Sequence, residues 1–405
     1  MLMKHIIILG DGMADEASPQ FGNLTPLQAA HKPNIDRLCA MGRVGLLHTV
    51  PAGYHPGSEV AHLSLFGYDL AKVYEGRGSL EAASMGVDVA PGELAMRCNL
   101  ICIENGKIKN HSAGHISDAE AAQLIDYLNE NLADEKVRFF NGVSYRHVLK
   151  IAGGDKRVEC TPPHDVPGTP AADVMPHALC PEAEPTAHLL SQLIARSQEI
   201  LPQHPVNQAR AAQGKDMANS IWPWSLGYRP SMRTFQEMYG IGRGAVITAV
   251  DLIRGIGIYA GLDVINVEGA TGLYDTNYEG KAQAAIDALR GDYDFVFLHV
   301  EASDEAGHEG DFALKTKTIE YLDSRVVAPV MKAIESFDFP VAVSLLPDHP
   351  TPCAVRTHTA NPVPFVIWHP GENPDKVTSF DELSVASGGY GIMRDDEYIK
   401  EFFRV

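Results

Sequence analysis

The sequence has little positive charge and no long apolar run. Its 405 residues contain 33 lysines and arginines against 52 acidic residues, which gives a formal net charge of −19. This balance argues against nucleic acid and anionic membrane surfaces as partners. No apolar run approaches the roughly 20 residues of a membrane span, and the segment MLMKHIIILGDG lacks a signal-peptide pattern. We therefore expect a cytoplasmic protein with no membrane and no nucleic acid among its partners.

Cysteines are also scarce, and their distribution argues against a disulfide framework. Only Cys98 and Cys102 lie close together, in the strand-like segment MRCNLICIENG. In a chain of this length we expect reduced and mostly buried thiols. A GxxxxGK[ST] phosphate-binding loop is absent as well. The six cysteines are Cys39, Cys98, Cys102, Cys160, Cys180 and Cys353.

Apolar runs typical of buried strands alternate with helix-length segments along most of the chain. Among them are HIIILG, GAVITAV, FVFLHV and VAVSLL. This alternation predicts an α/β fold with a doubly wound, mostly parallel sheet and helices on both faces. From about residue 95 the pattern changes to short strands around one amphipathic helix, followed by a Pro-rich passage. We therefore expect a core formed by residues 1–95 and 187–405, and a smaller α+β insert at residues 96–186.

Acidic residues and histidines follow three of the predicted strands. Asp11 follows HIIILG, the segment DEAGH from Asp304 to His308 follows FVFLHV, and Asp348 and His349 follow VAVSLL. Because ligands of open α/β sheets bind at the carboxyl ends of the strands, we expect one shared site. Bound divalent metal ions would also allow so acidic a protein to bind an anionic substrate.

Each of these segments also has an ordinary explanation. Asp304 and His308 would share one face of a helix, yet DEAGHEGD equally fits a solvated surface loop. Asp348 and His349 can share a metal ion only if the strand has ended there, which the flanking prolines favour over an ordinary turn. Asp11 fits an Asp-Gly turn. His358, which precedes a further apolar run, also fits a loop or core histidine.

Ser58 lies at the predicted start of a helix and has two interpretations. As an N-cap its hydroxyl would stabilise the helix by about 1 kcal/mol and do no chemistry. As a nucleophile it would lie where backbone N–H groups attract a phosphoryl group, and a metal ion on its oxygen would favour the alkoxide. The sequence leaves both open.

Eight short motifs follow one another along the chain: GDGMAD, PGSEVAHLSLFGYD, YEGRG, SAGH, GATG, DEAGHEGD, LPDH and HTANPVP. This ordered set resembles the archaeal-type cofactor-independent (2,3-bisphosphoglycerate-independent) phosphoglycerate mutases of the alkaline phosphatase superfamily. The resemblance runs across nearly the whole chain and implies an alkaline-phosphatase-like core with a mobile cap, the insert at 96–186.

The resemblance implies an isomerase of glycolysis and gluconeogenesis that interconverts 3-phosphoglycerate and 2-phosphoglycerate through a phosphoserine. It implies two divalent metal ions, Mn²⁺, Mg²⁺ or Zn²⁺, and no requirement for 2,3-bisphosphoglycerate. Ser58 would carry the phosphoryl group. By motif matching, the first ion would lie among Asp11, Ser58, Asp348 and His349, and the second among Asp304, His308 and His358.

The chain departs from the mutases at one motif, where AGR is common and this chain has SAGH, with His115. Histidine does not reproduce the bidentate hydrogen bonding of arginine to carboxylate or phosphate.

A related branch, proposed to be homoserine kinases of threonine biosynthesis, looks similar at this motif and would need a phosphoryl donor. A metal-dependent phosphomonoester hydrolase is a further alternative, and a non-catalytic relative is disfavoured by the presence of Ser58. The oligomeric state is left open. The substrate-binding candidates are Arg77, Arg97, His115, Arg146 and Arg254.

Overall fold

The computed structural model describes residues 3–405, and these residues form two compact units. One unit combines the chain up to Tyr74 with Ser231–Val405, and the other is Glu75–Pro230. We call them the sheet unit and the inserted unit.

The helices and strands follow one another along the chain as follows. The first part of the sheet unit contains β1 (Lys4–Gly10), α1 (Pro26–Ala29), α2 (Pro33–Met41), β2 (Arg43–Leu47), α3 (Ser58–Leu65) and α4 (Leu70–Val73). The inserted unit contains α5 (Gly78–Ser84), β3 (Glu93–Glu104), β4 (Lys107–Asn110), α6 (Asp118–Leu132), β5 (Val137–Val143), β6 (Arg146–Ala152), β7 (Val158–Glu159), β8 (His177–Ala178), α7 (Glu184–Ile200), α8 (Pro205–Ala212) and β9 (Ser220–Tyr228).

The second part of the sheet unit completes its sheet. It contains α9 (Phe235–Tyr239), β10 (Gly244–Ile247), α10 (Asp251–Tyr259), β11 (Asp263–Val264), α11 (Tyr278–Arg290), β12 (Phe295–Val300), α12 (Ala302–Glu309), α13 (Phe312–Tyr321), α14 (Ala328–Ile334), β13 (Val341–Leu346), β14 (Val363–Trp368), β15 (Gly391–Met393) and α15 (Glu397–Phe403). A π-helical segment, Leu322–Val327, joins α13 to α14.

The sheet unit is built on an eight-stranded sheet in the order β11-β10-β12-β1-β13-β14-β2-β15. Only β14 runs antiparallel to its neighbours; the other described pairings in this sheet are parallel. The carboxyl ends of β12, β1 and β13 therefore meet at one edge of the sheet. The predicted α/β class with a mostly parallel sheet is confirmed.

Both faces of this sheet are covered, which explains why its central strands are continuously apolar. Ile6 and Ile8 belong to a core that also contains residues of α2, α11 and α14. On the opposite face Phe297 packs edge-on against Phe66, the residue directly after α3, with ring centroids 4.9 Å apart. Phe295 packs in the same way against α15. Successive strand residues thus bury their side chains on opposite faces.

The inserted unit is wider than the insert expected at residues 96–186. Its sheet runs β4-β3-β6-β5, and β9 pairs antiparallel with β3 from Leu94 to Ile101. Helix α7 and strand β9, which the sequence analysis assigned to the core, contribute Leu190 and Trp222 to the apolar core of this unit. The boundaries therefore lie near residues 75 and 230, because β9 pairs with a strand more than a hundred residues away.

The six cysteines are all free in the structure, as expected for reduced thiols. Among the helices of residues 3–405, none has the length and apolar character needed to cross a membrane.

Candidate metal centre and nucleophile

Asp11 lies directly after β1, at the edge where the three central strands end. Its carboxylate is buried, and Oδ2 lies 3.0 Å from Nε2 of His299. The other oxygen, Oδ1, is buried and has no hydrogen-bond partner among the described residues. Gly12 follows with a φ of +58°, and a Cβ there would collide with Asp304 and Thr351. Glycine is required at this position because the turn after β1 lies in direct contact with Asp304 and Thr351, which leaves no room for a side chain.

Asp348 and His349 follow β13, where the strand ends at Leu346 before Pro347. Both side chains are fully buried. His349 Nε2 lies 3.1 Å from Asp348 Oδ2 and 3.7 Å from Asp11 Oδ1. Asp348 Oδ2, like Asp11 Oδ1, accepts no hydrogen bond from any described residue. The ligand atoms of Asp11, Asp348 and His349 all lie within 4.8 Å of one another.

Ser58 is the first residue of α3, and Gly57 is the N-cap residue, with no side-chain cap in the described structure. The N-cap interpretation of Ser58 is therefore wrong. Its Oγ instead lies 3.2 Å from Nε2 of His349, next to the group formed by Asp11, Asp348 and His349. The Ser58 hydroxyl therefore lies both at the start of α3 and beside the side chains of Asp11, Asp348 and His349.

Asp304 and His308 lie on α12, which begins directly after β12. The surface-loop interpretation is wrong here, because the helical spacing of four residues brings His308 Nε2 within 3.2 Å of Asp304 Oδ2. His358 comes from the loop before β14, and its Nε2 lies 3.1 Å from that of His308 and 3.5 Å from Asp304 Oδ1. These three residues form a second group with ligand atoms within 4.8 Å of one another.

The two groups are neighbours. The rings of His349 and His358 are in contact, with centroids 3.9 Å apart and ring planes inclined by 30°. Thr351 bridges the groups, because its hydroxyl donates to Asp304 Oδ1 at 2.5 Å and lies 3.3 Å from His349 Nδ1. One continuous site therefore contains three carboxylates and three imidazoles, five of them from segments that follow β1, β12 and β13 and the sixth, His358, from the loop before β14.

The carboxylates differ in their electrostatic environment. Burial, with Asp348 and Asp304 as negative neighbours, raises the pKa of Asp11 well above its ordinary value. Burial also disfavours ionisation of Asp304, but hydrogen bonds with His308 and His358 outweigh it and hold its pKa well below the ordinary value. His308 is the counterpart, since its hydrogen bond with Asp304 raises its pKa to about 9. The negative charge of Asp11 is thus not balanced by its neighbours, whereas that of Asp304 is balanced by His308 and His358.

These features fit bound divalent cations. Two buried carboxylate oxygens without partners are costly in a protein interior unless something positive meets them. Mixed Asp and His ligands suit manganese, zinc or magnesium, and the set does not discriminate strongly among them. The residues that could hold metal are Asp11, Ser58, Asp348 and His349 in one group and Asp304, His308 and His358 in the other.

Residues beneath the site were missed by the sequence analysis. His299 contacts Asp11, and Glu301 contacts His299 at 3.1 Å. His62, in α3, is fully buried and lies 3.4 Å from Asp348 Oδ2. The signal that could have revealed His299 is its place as a polar residue inside the apolar run FVFLHV. A buried polar residue carries more information than a buried apolar one.

The substrate-binding candidates fall in both units. In the inserted unit, Arg77 and Arg97 both contact Glu81, at 2.7 and 3.0 Å, and Arg97 also lies over the ring of Trp224. His115 has a positive φ of 52° and lies near Tyr145. Arg146 begins β6. In the sheet unit, Arg254 lies on α10 and donates to the carbonyl of Thr248.

The fold and the site together define a class. A mostly parallel α/β sheet whose strand ends carry two Asp-His groups beside a serine at a helix start is the arrangement of a metal-dependent phosphoryl-transfer enzyme. Within that class the family profile of 2,3-bisphosphoglycerate-independent phosphoglycerate mutase matches residues 39–207.

Similarity to known proteins extends over the whole chain. A curated protein of Methanosarcina acetivorans, named 2,3-bisphosphoglycerate-independent phosphoglycerate mutase, is 52% identical over 100% of both chains. A solved structure of a Pyrococcus horikoshii protein has a TM-score of 0.82 at 30% identity, covering 100% of this chain and 98% of the other. The cofactor-independent phosphoglycerate mutase of Thermoplasma acidophilum has a TM-score of 0.70 at 28% identity, covering 100% and 99%. The chain belongs to the 2,3-bisphosphoglycerate-independent phosphoglycerate mutase family.

Proposed function

We propose that the chain is a cytoplasmic isomerase that interconverts 3-phosphoglycerate and 2-phosphoglycerate without 2,3-bisphosphoglycerate. The observation that carries the chemistry is the position of Ser58 Oγ, 3.2 Å from His349 Nε2 and beside two groups of metal-ligand side chains. The full-length relationship to proteins named as mutases supports this choice of substrate over homoserine.

The residues divide into a nucleophile and its surroundings. Asp11, Ser58, Asp348 and His349 would hold one divalent ion, and Asp304, His308 and His358 the other. When bound, such ions neutralise phosphoryl charge and lower the pKa of a coordinated hydroxyl. The start of α3 adds backbone N–H groups that favour an anionic phosphate near Ser58.

The proposed cycle is two phosphoryl transfers through Ser58. In the first, a bond forms between Ser58 Oγ and phosphorus while the ester bond to glycerate breaks. The glycerate stays bound and turns, and its neighbouring hydroxyl then takes the phosphoryl group back. In the first transfer Ser58 loses a proton and the glycerate oxygen that leaves phosphorus gains one. In the second transfer the neighbouring hydroxyl loses a proton and Ser58 regains one, so that no co-substrate is consumed and no net proton is released. Water must stay away while phosphoserine exists, since hydrolysis would release the phosphate.

Several residues have roles that stay predictions. Arg77, Arg97, His115, Arg146 and Arg254 are the candidates for holding the carboxylate and phosphate of the substrate. Arg97 is already paired with Glu81, which limits its freedom to bind another anion. The role of the inserted unit as a cap that excludes water is likewise a prediction.

A coupled assay tests the proposed function. Purified protein with Mn²⁺ is given 3-phosphoglycerate, and 2-phosphoglycerate is measured through enolase, with no bisphosphoglycerate added. We expect turnover by the parent and by the control Ser64→Ala, which alters a second serine of the same helix. Ser58→Ala should be inactive, because it lacks the nucleophile.

Other substrates decide between the alternatives. Turnover of homoserine with ATP, and not of 3-phosphoglycerate, would favour the kinase branch. Hydrolysis of p-nitrophenyl phosphate alone would favour a phosphatase. Full mutase activity in Ser58→Ala would refute the phosphoserine route. In a reaction with radiolabelled phosphoglycerate that is quenched in acid, we expect label on the parent protein and none on Ser58→Ala.

A further inference from the structure

A chain of buried polar residues leads away from Asp11 into the interior of the sheet unit. His299 and Lys281 are fully buried and Glu301 is 3% exposed. Lys281 Nζ donates to Glu301 Oε2 at 2.5 Å and to the carbonyl of His299 at 3.0 Å. Glu301 Oε1 lies 3.1 Å from His299 Nδ1, and His299 Nε2 lies 3.0 Å from Asp11 Oδ2.

The strand arrangement fixes the place of His299. Its strand, β12, lies between β10 and β1, and His299 is paired with Leu9, two residues before Asp11. The backbone N–H of Asp11 donates to the carbonyl of Val300 at 2.9 Å. Both ring and carboxylate are therefore held by neighbouring parallel strands, and their relative position is set by the backbone of the sheet.

The far side of the imidazole is held as firmly as the near side. Thr248, just after β10, places its Oγ1 2.9 Å from His299 Nδ1 and donates to Glu301 Oε1 at 3.0 Å. The backbone N–H of Ala249 donates to the same carboxylate oxygen at 2.9 Å. With contacts at both ring nitrogens, His299 has one ring orientation, and Nε2 is directed at Asp11.

The consequence appears in the two oxygens of Asp11. Oδ2 is occupied by His299, whereas Oδ1 is buried, has no hydrogen bond from a described residue and lies 3.7 Å from Nε2 of His349. Partners that orient a ligand side chain in this way commonly change metal affinity when they are removed. A purely structural purpose explains the chain less well, because buried ion pairs seldom add stability over apolar residues of similar size.

We propose that His299 is a positioning residue, held by Glu301 and Lys281, that turns Asp11 so that Oδ1 alone faces a divalent cation bound with Asp348 and His349. This inference rests on the metal binding in the proposed function. It does not require the substrate to be phosphoglycerate, and it assigns a role to three residues that touch no substrate.

The test measures Mn²⁺ binding by titration calorimetry in a background that isolates one group. His308→Ala with His358→Ala disables the Asp304 group, so that the remaining site contains Asp11. In this background we expect His299→Leu to weaken Mn²⁺ binding by about 10- to 100-fold. His299→Gln, whose amide N–H can still donate to Asp11, should recover most of the affinity.

Two controls separate positioning from general stability. His5→Leu removes another buried imidazole from the same sheet, at the start of β1, and should leave Mn²⁺ affinity unchanged. In the reciprocal background Asp348→Asn, which disables the Asp11 group, His299→Leu should not change binding by the Asp304 group. If His299→Leu does not fold, Lys281→Met removes the anchor of Glu301 and should weaken binding in the same direction by a smaller factor.

The outcomes separate the inference from the proposed function. If the His308→Ala, His358→Ala protein with His299 intact binds no Mn²⁺, both the metal binding of the proposed function and the positioning role are overturned. If it binds Mn²⁺ and the added His299→Leu substitution leaves the affinity unchanged, only the positioning role is overturned. An equal loss in both backgrounds would also overturn it, since it would show a general effect on the fold.

Discussion

Two substitutions in the site should change the stability of the metal-free protein in opposite directions. Asp11→Asn and Asp304→Asn each remove one negative charge from the same cluster. Burial and the negative charges of Asp348 and Asp304 raise the pKa of Asp11, and they outweigh the opposing effect of its contact with His299. Asp304 receives hydrogen bonds from Thr351, His308 and His358, and its pKa is depressed. Ionised Asp11 therefore destabilises the folded state, whereas ionised Asp304 stabilises it.

The magnitude for Asp11→Asn follows from the atom that it replaces. Asp348 Oδ2, an oxygen of the same group of ligand side chains, accepts no hydrogen bond from any described residue, so we expect an amide N–H in place of Asp11 Oδ1 to donate to it. A hydrogen bond to a charged group contributes about 1.5–3 kcal/mol. Because each kcal/mol shifts the melting temperature of a unit of 150–250 residues by about 2–4 °C, we expect a rise of about 3–12 °C.

Metal should reverse the order. At a Mn²⁺ concentration of about 1,000 times the dissociation constant, one site adds about 4.1 kcal/mol, which exceeds the advantage of about 1.5–3 kcal/mol expected for Asp11→Asn. The parent should gain this amount at both groups, and Asp11→Asn should gain it only at the Asp304 group. Asp304→Asn should be less stable than the parent without metal, because two imidazoles lose their charged partner.

The assay is thermal unfolding at pH 8, followed by circular dichroism, first in EDTA and then with Mn²⁺. In EDTA we expect the melting temperature to fall in the order Asp11→Asn, parent, Asp304→Asn, and after metal is added we expect the parent to have the highest melting temperature. A lower melting temperature for Asp11→Asn in EDTA would refute the claim that Asp11 is uncompensated. Equal gains from Mn²⁺ in the parent and in both variants would refute metal binding at these residues.

Three further predictions follow from the same structure. Ser58→Ala should abolish mutase activity and change the free energy of unfolding by less than about 1 kcal/mol, since the hydroxyl caps no helix; urea unfolding checks the second part. Dialysis against EDTA should abolish activity and added Mn²⁺ should restore it, as measured in the coupled assay. Burial, with His369 nearby, lowers the pKa of His5 to about 4, so stability should fall by roughly 3 kcal/mol as pH drops from 7 towards 4. His5→Leu should remove this part of the pH dependence in urea unfolding, and an unchanged slope would contradict the assignment.

The location of the candidate site was predictable because the side chains that could hold metal follow strands. Asp11, Asp304 and Asp348 each come within a few residues of an apolar run, and parallel strands end at a common edge, so local pattern and topology together specify one location. The sequence could not decide whether Ser58 caps the helix, because the answer depends on whether the helix begins at Ser58 or one residue later. Only the coordinates place Gly57, and not Ser58, at the N-cap.

The boundary of the inserted unit was not predictable from local pattern. Strand β9 has the same apolar, β-prone character as a strand of the main sheet. Its partner is decided by pairing with β3 across more than a hundred residues. Side-chain periodicity reports which face of a strand is buried, and it carries no information on which strand lies alongside. The error at residue 186 is therefore an error of pairing and not of secondary structure.

His299 shows why the second layer of a site escapes the same reasoning. One histidine within FVFLHV does not change the prediction of a buried apolar strand. In the structure, however, this histidine, His299, lies 3.0 Å from Asp11 Oδ2. Its buried polar contacts with Glu301 and Lys281 offer no obvious advantage to folding, since apolar residues would fill the space at least as well. Local departures from sound core design tend to occur where function requires them. By this logic, a polar residue one position before the end of an apolar strand is worth testing as a ligand-positioning residue even when its own sequence context is unremarkable.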